Sequence, residues 1–147
     1  MGRFSDRSVA RLQTCAPALE MLFADVVQSY DCVILCGHRN KADQDAAVAA
    51  GNSKTPWPTG NHNAVPSKAV DAAPYDPRAS GGVNWGEDVR TKKPDRAALA
   101  RFYHFAGFVK ARAQVLGIPI RWGGDWDGDT FFDDQTFNDL VHFELAR

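Results

Sequence analysis

The sequence predicts a small α+β domain in which an antiparallel sheet is flanked by helices. A length of 147 residues and a hydrophobic content of 44% suffice for one domain with one core. Short β-rich runs also alternate with longer segments whose apolar residues recur every three or four positions, a spacing typical of amphipathic helices. We therefore expect residues 1–147 to form a single domain.

The N-terminal third predicts three helices and one strand. Pro17 interrupts an apolar pattern, so a short helix should precede it and a second helix should span residues 17–29. The β-rich run 32–36 should form a buried strand. A third helix should span residues 41–50, between a capping asparagine and a terminating glycine. The second helix should turn three apolar side chains inward: Leu19, Leu22 and Val26.

The middle of the chain combines loops with one strand and the longest helix. Residues 51–66 are rich in Gly, Pro, Asn, Ser and Thr, and a loop of this length is usually functional or disordered. A small-residue strand over 69–73 and a second loop over 75–94 should follow. Asp95 should open a helix that ends before Gly117. Its apolar stripe should pack on the sheet and recurs at spacings of three and four: Leu99, Phe102, Ala106, Val109, Ala113 and Leu116.

The C-terminal segment predicts two further strands around an acidic loop. Residues 120–122 and 142–145 have the composition of strands. The acidic loop should span residues 123–134, and residues 135–140 should form one or two helical turns.

The composition limits the kinds of partner that the chain is expected to bind. A formal charge of −1 and a pI of about 6.4 give no electrostatic reason to bind nucleic acid or an anionic membrane. No run approaches the ~20 apolar residues of a membrane span, and the polar start predicts synthesis in the cytoplasm without an export signal. Cys32 and Cys36 would lie about 13 Å apart on a strand, too far for a disulfide. With Cys15, they should be buried free thiols.

Two histidines and two aspartates can build a hydrolytic zinc site. His62 lies in the first loop, Asp71 on the small-residue strand, and His142 at the start of the last strand. A catalytic zinc takes three ligands of this type and leaves a fourth position for water. Asp139, three residues before His142, can reach such a water and act as its general base. Asp71 should be half buried and therefore needs a partner.

The surroundings of these residues are similar to a known family. The similarity lies in Ser53-Lys54-Thr55, in the stretch from His62 to Tyr75, and in His142-Phe143-Glu144-Leu145. The chain resembles the zinc peptidoglycan peptidases, which include D-alanyl-D-alanine carboxypeptidases and the L-alanyl-D-glutamate endopeptidases of bacteriophage lysis. The resemblance runs from about residue 33 to residue 145. It implies a hedgehog/D,D-peptidase-like fold with a single zinc site.

The resemblance also implies roles for individual residues. Asp139 corresponds to the general base, and Arg39 to an arginine that can hold a substrate carboxylate or the developing oxyanion. Eight residues separate His62 from Asp71 where the family usually has six, which a two-residue loop extension explains. The base is aspartate where carboxypeptidase relatives tend to carry glutamate, so the chain resembles the phage enzymes more. The implied Zn²⁺ ligands are His62, Asp71 and His142.

The expected function is hydrolysis of peptidoglycan stem peptides, at the L-alanyl-D-glutamate bond, by a phage-type endolysin. A separate pore protein would deliver the enzyme, expected to be a monomer, from the host cytoplasm to the cell wall. A D-alanyl-D-alanine carboxypeptidase is an alternative, with Arg39 on the terminal carboxylate. A non-catalytic zinc-stabilised wall-binding module is another, although it would not need Asp139. A nuclease is disfavoured because the chain has no basic stripe.

Further polar and aromatic residues have alternative roles. Acids at alternating positions of the loop indicate either a Ca²⁺ site or an exposed acidic turn. They are Asp125, Asp127 and Asp129. Glu144 should support a metal ligand or pair with an arginine. His38 and His104 match no ligand position, and His104 should be a surface or boundary residue. Four tryptophans can wall a groove or fill the core: Trp57, Trp85, Trp122 and Trp126.

Overall fold

The computed structural model describes residues 2–88 and 90–146. In this part of the chain, four α-helices surround one four-stranded sheet. The helices are α1 (Asp6–Leu12), α2 (Pro17–Val26), α3 (Lys41–Ala49) and α4 (Arg96–Leu116). The strands are β1 (Cys32–Cys36), β2 (Ala69–Pro74), β3 (Ile120–Trp122) and β4 (His142–Leu145). Short 3₁₀ turns occur at Asn61–Asn63 and Ser80–Gly82.

The sheet has the order β1-β2-β4-β3, and each neighbouring pair is antiparallel. This confirms the predicted α+β class. β4 lies between β2 and β3, where Asp71 faces His142 and Arg121 faces Glu144. Because side chains alternate across a strand, His142 and Glu144 share one face of the sheet and Phe143 points to the other.

The face that carries Phe143 forms the core with α2 and α4. Phe143 is fully buried and makes edge-to-face contacts with Phe23 and Phe105, at ring-centroid distances of 5.5 and 6.0 Å. The three residues predicted to face inward from α2 are also fully buried: Leu19, Leu22 and Val26. The apolar side of the sheet thus holds β4 in place, while its polar side remains free for chemistry.

Phe143→Ala should lower the free energy of unfolding by about 3–5 kcal/mol, because it removes a fully buried ring from this cluster. Urea denaturation measures the change. Phe131→Ala is the matched control, since the Phe131 side chain is 66% exposed. An equal loss of stability in both variants would contradict this account of the core.

Two expectations about helices are wrong. Leu99 is 37% exposed, because the first turn of α4 packs on the loop at Gly86 rather than on the sheet; Phe105 takes the central position instead. Residues 135–140 form no helix. The indoles of Trp122 and Trp126 bond to the carbonyls of Leu140 and Phe137, at 2.8 and 2.6 Å, and hold the segment in an irregular path.

The end of α2 and the burial of the thiols also differ from the prediction. α2 ends at Val26 rather than at residue 29, and the following residues continue only as a turn. All three cysteines are free, but Cys36 is only half-buried, whereas burial raises the pKa of Cys15 and of Cys32 to about 12.

Over the residues described, no helix combines the length and the apolar character that crossing a bilayer requires.

Candidate active site

The polar face of the sheet brings together three residues that are far apart in the sequence. Asp71 on β2 and His142 on β4 are direct cross-strand partners. His62 comes from the 3₁₀ turn at Asn61–Asn63, which two backbone hydrogen bonds connect to the segments after β1 and before β2. Arg39 N–H donates to the His62 carbonyl at 2.8 Å, and Lys68 N–H donates to the Asn61 carbonyl at 3.0 Å. The long loop is therefore anchored where it delivers its histidine.

The three side chains form a compact triangle of nitrogen and oxygen atoms. His62 Nε2 lies 3.1 Å from Asp71 Oδ1 and 3.2 Å from His142 Nδ1. His142 Nδ1 lies 3.3 Å from Asp71 Oδ1. All three residues are buried, so the chain encloses this polar cluster on its own.

Hydrogen bonds outside the triangle fix the tautomers of both histidines. His62 Nδ1 lies 2.7 Å from the carbonyl of Gly37, and His142 Nε2 lies 2.9 Å from Glu144 Oε1. A carbonyl and a carboxylate can only accept, so these two nitrogens carry the protons. In their neutral forms, which metal ligation requires, the two histidines therefore present the lone pairs of His62 Nε2 and His142 Nδ1 to the triangle.

The triangle attracts positive charge. Burial alone would raise the pKa of Asp71, but its hydrogen bonds to His142 and His62 hold it well below the usual range. Burial would lower the pKa of His62, yet the bond to Asp71 outweighs it and raises that pKa to about 10. The pKa of His142 is raised by the same carboxylate and by Glu144, against the effect of burial. A buried aspartate between two imidazoles thus favours a cation at its centre.

Asp139 lies beside the triangle, with Oδ2 4.0 Å from His142 Nδ1. Burial, followed by the charge of Asp71, raises the pKa of Asp139 to about 6. Asp139 N–H donates to the Gly123 carbonyl at 2.8 Å. A Cβ at position 123 would lie 2.3 Å from the Asp139 carbonyl oxygen, so this close approach requires glycine. Sequence reasoning missed Gly123, because only the fold brings it to Asp139.

Arg39 contacts the triangle directly. Its Nη2 lies 3.4 Å from Asp71 Oδ2, and its Nη1 donates to Gln44 Oε1 at 3.2 Å. Gln44 is buried and is held in turn by Ser53 Oγ at 2.9 Å and by the Thr55 carbonyl at 2.6 Å. The loop that carries His62 therefore also orients Arg39.

Glu144 joins the site to the next strand. Its Oε1 binds His142, and its Oε2 accepts from Asn61 Nδ2 and, at 3.1 Å, from Arg121 Nη2. Burial opposes ionisation of Glu144, but His142 and Arg121 outweigh it and lower the pKa of the carboxyl. Glu144 therefore occupies the supporting position that the sequence predicted, and Asn61 and Arg121 were missed.

A cavity of about 300 Å³ opens over this cluster and is lined by Asp139, His142, Lys54, Phe137 and Trp126, among others. Two of the four tryptophans take the roles considered for them. Trp126 walls the cavity, and Trp122 is buried in the core. Trp85 is exposed and stacks on Phe102, and Trp57 is half-buried without lining the cavity.

The remaining two histidines are not part of the triangle. His38 Nδ1 pairs with the carbonyl of Ala64 at 3.0 Å. His104 is exposed on α4 and pairs with the Tyr30 hydroxyl at 2.9 Å, as expected of a surface residue.

The acidic loop brings carboxylate oxygens of Asp125, Asp127 and Asp129 within 4.8 Å of one another. Asp125 is buried, and it already accepts from the N–H groups of Gly128 and Thr130 at 3.0 and 3.2 Å. The other two acids are exposed. This arrangement fits both a calcium site and an acidic turn.

The fold and the site together define a hydrolase with a candidate metal centre. The family model for phage L-alanyl-D-glutamate peptidase matches residues 1–146, and the chain belongs to this family. It is 24% identical over 135 residues to the L-alanyl-D-glutamate peptidase of Escherichia phage T5, covering 90% of this chain and 88% of that protein. The crystal structure of the Serratia marcescens L-Ala D-Glu endopeptidase ChiX superimposes with a TM-score of 0.69 at 25% identity. That match covers 98% of this chain and 90% of ChiX.

Proposed function

We propose that residues 1–147 form one catalytic domain, a zinc-dependent endopeptidase that hydrolyses the L-alanyl-D-glutamate bond of peptidoglycan stem peptides. The observation that carries this proposal is the buried triangle of His62, Asp71 and His142 with Asp139 beside it. The family and both relatives support the choice of bond, since each is described by cleavage between alanine and glutamate.

The donor set fits zinc. Two imidazole nitrogens and one carboxylate oxygen are typical ligands of catalytic zinc, and metal–ligand distances of about 2.0–2.1 Å at tetrahedral angles separate ligand atoms by about 3.3 Å. The three separations in the triangle are 3.1, 3.2 and 3.3 Å. When bound by these residues, zinc supplies a Lewis acid and a water whose pKa is lowered to about 7.

The chain's own residues supply the proton transfer and the charge stabilisation. Asp139 takes the proton of the attacking water and passes it to the leaving amine of the glutamate residue. Arg39, adjacent to Asp71, stabilises the negative charge that develops on the carbonyl oxygen.

The test is digestion of purified peptidoglycan with zinc-loaded protein, beside a chelated sample, followed by mass spectrometry of the newly freed amines. New N-terminal D-glutamate that is lost on chelation is the expected result. Released D-alanine would instead support a D-alanyl-D-alanine carboxypeptidase. No new amine, from protein that holds zinc, would favour the non-catalytic wall-binding module.

Glu144→Gln should weaken zinc affinity by about 10- to 100-fold, because the amide no longer carries the charge that orients His142. Competition with a chromophoric chelator measures the affinity. Asp45→Asn is the matched control, since Asp45 is an exposed acid on α3. Unchanged affinity in Glu144→Gln would contradict this supporting role.

Delivery and calcium remain proposals that rest on the sequence. We propose that the protein acts as a monomer and that a separate pore protein brings it from the host cytoplasm to the wall; sedimentation analysis tests the first point. Calcium binding by the acidic loop can be followed through the fluorescence of Trp126, which lies between Asp125 and Asp127. A calcium-dependent change that Asp127→Asn abolishes would support the site.

A further inference from the structure

Arg121 lies on the same face of the sheet as the triangle. It is the cross-strand partner of Glu144, which stands two positions after His142 on β4. Two residues along a strand correspond to about 7 Å. Arg121 therefore lies about two residues' length along the sheet from the candidate ligand His142, on a strand rather than in a loop, and it lines the cavity.

The guanidinium of Arg121 is held in place, but only one of its N–H groups donates to a residue that the structure describes. Nη2 donates to Glu144 Oε2 at 3.1 Å, and the group lies 5.3 Å from the centre of the Trp126 ring. Within residues 2–88 and 90–146, no second protein acceptor binds this guanidinium. An arginine has five N–H donors, and the Arg121 side chain is 48% exposed. Donors therefore remain for a ligand in the cavity.

Trp126 fixes the position of this charge. Its indole N–H donates to the Phe137 carbonyl at 2.6 Å, and its backbone N–H donates to Gln135 Oε1 at 3.0 Å. The ring also lies 5.4 Å from the imidazole of His142. One rigid aromatic side chain thus contacts both the hydrolytic centre and the guanidinium.

The substrate of the proposed function has an anion at the corresponding place. A glutamate residue has two carboxyl groups, and the stem peptide can continue through only one of them. The other remains free and lies within four bonds of the scissile nitrogen. A group that binds it must therefore lie close to the hydrolytic centre.

We propose that Arg121 binds the free carboxylate of the substrate glutamate and makes the enzyme selective for glutamate over its amide. This inference rests on the proposed function. Among the other cations that line the cavity, Arg39 is held by Asp71 and Gln44 and is assigned to the reacting carbonyl oxygen in the proposed function. Lys54 is an exposed loop residue, 5.4 Å from the Phe137 ring. Arg121 alone among these three combines a strand position with the two-pronged geometry that suits a carboxylate.

The experiment compares two synthetic stem peptides that differ only at the free carboxyl group of D-glutamate, which is either a carboxylate or a primary amide. We expect the zinc-loaded wild-type protein to cleave the carboxylate peptide with a kcat/KM about 10- to 100-fold higher. Arg121→Gln should bring this ratio close to one, and Arg121→Lys should give an intermediate ratio. Lys54→Gln, the matched control, should keep the wild-type ratio.

The ratio separates substrate recognition from support of Glu144, because weaker zinc binding would slow both peptides alike. Equal cleavage of both peptides by the wild type would overturn the inference, and so would a preference that survives in Arg121→Gln. A preference lost in Lys54→Gln instead would assign the carboxylate to the loop and equally overturn it. Cleavage of neither peptide by zinc-loaded wild type would overturn the proposed function, and this inference with it.

Discussion

Asp139→Asn should lower kcat by about a hundred- to ten-thousand-fold while zinc remains bound. The amide has the shape of the carboxylate but cannot take a proton from water. Asp139 lies 4.0 Å from His142 Nδ1 and is not one of the three atoms of the triangle, so the candidate ligands stay intact. Steady-state kinetics on a stem peptide and metal analysis of the same sample give the two quantities.

The control for this variant is Asp133→Asn, which removes an exposed acid from the same segment and should leave kcat unchanged. Full activity in Asp139→Asn would show that another group takes the proton. Loss of zinc together with activity would instead assign Asp139 to metal binding.

His142→Ala should abolish both zinc binding and hydrolysis. It removes one of the three atoms of the triangle and leaves Asp71 with His62 and Arg39 alone. The loss of affinity should exceed the about 10- to 100-fold expected for Glu144→Gln, because His142 is a candidate ligand and Glu144 only supports it. Metal content after dialysis and hydrolysis of peptidoglycan are the measurements.

The fold should survive His142→Ala, because the neighbouring Phe143 fills the core on the opposite face of β4. Circular dichroism checks this point. His104→Ala serves as the histidine control, since His104 is exposed on α4 and pairs with Tyr30 rather than with the triangle. Retention of stoichiometric zinc by His142→Ala would exclude this residue as a ligand.

The strands were predictable because local sequence determines them. The bounds of β1, β3 and β4 agree with the prediction, and β2 is one residue longer. Each strand is a short run with a distinct composition, bounded by turn residues. The start of α4 was equally readable, since the Asp95 side chain accepts from Ala98 N–H as a typical N-cap.

The errors arose where tertiary contacts override local preference. The carbonyls of Phe137 and Leu140 accept from two tryptophan indoles, and residues 135–140 follow an irregular path instead of a helix. Leu99 has the spacing of a core residue, yet its turn of α4 packs on the loop at Gly86. The spacing of apolar residues along a helix does not indicate which loop the helix will contact.

The candidate site was predictable only in part, for the same reason. His62, Asp71 and His142 belong to a recognisable pattern, and the structure brings all three together. Gly123 and Arg121 reach the site through the pairing of β3 with β4, and no motif in the sequence predicts this pairing. The sequence pattern thus identifies the candidate metal ligands, whereas the pairing of the strands determines which other residues surround them.

The place of β4 in the sheet has a consequence for biosynthesis. β4 follows the other three strands along the chain, yet it lies between β2 and β3 and supplies His142. A ribosome-bound chain that has not yet released β4 can pair β1 with β2 but cannot connect β3 to them, and it lacks one corner of the triangle. Hydrolytic competence should therefore arise in the same step that completes the sheet, so that partly synthesised chains remain inert.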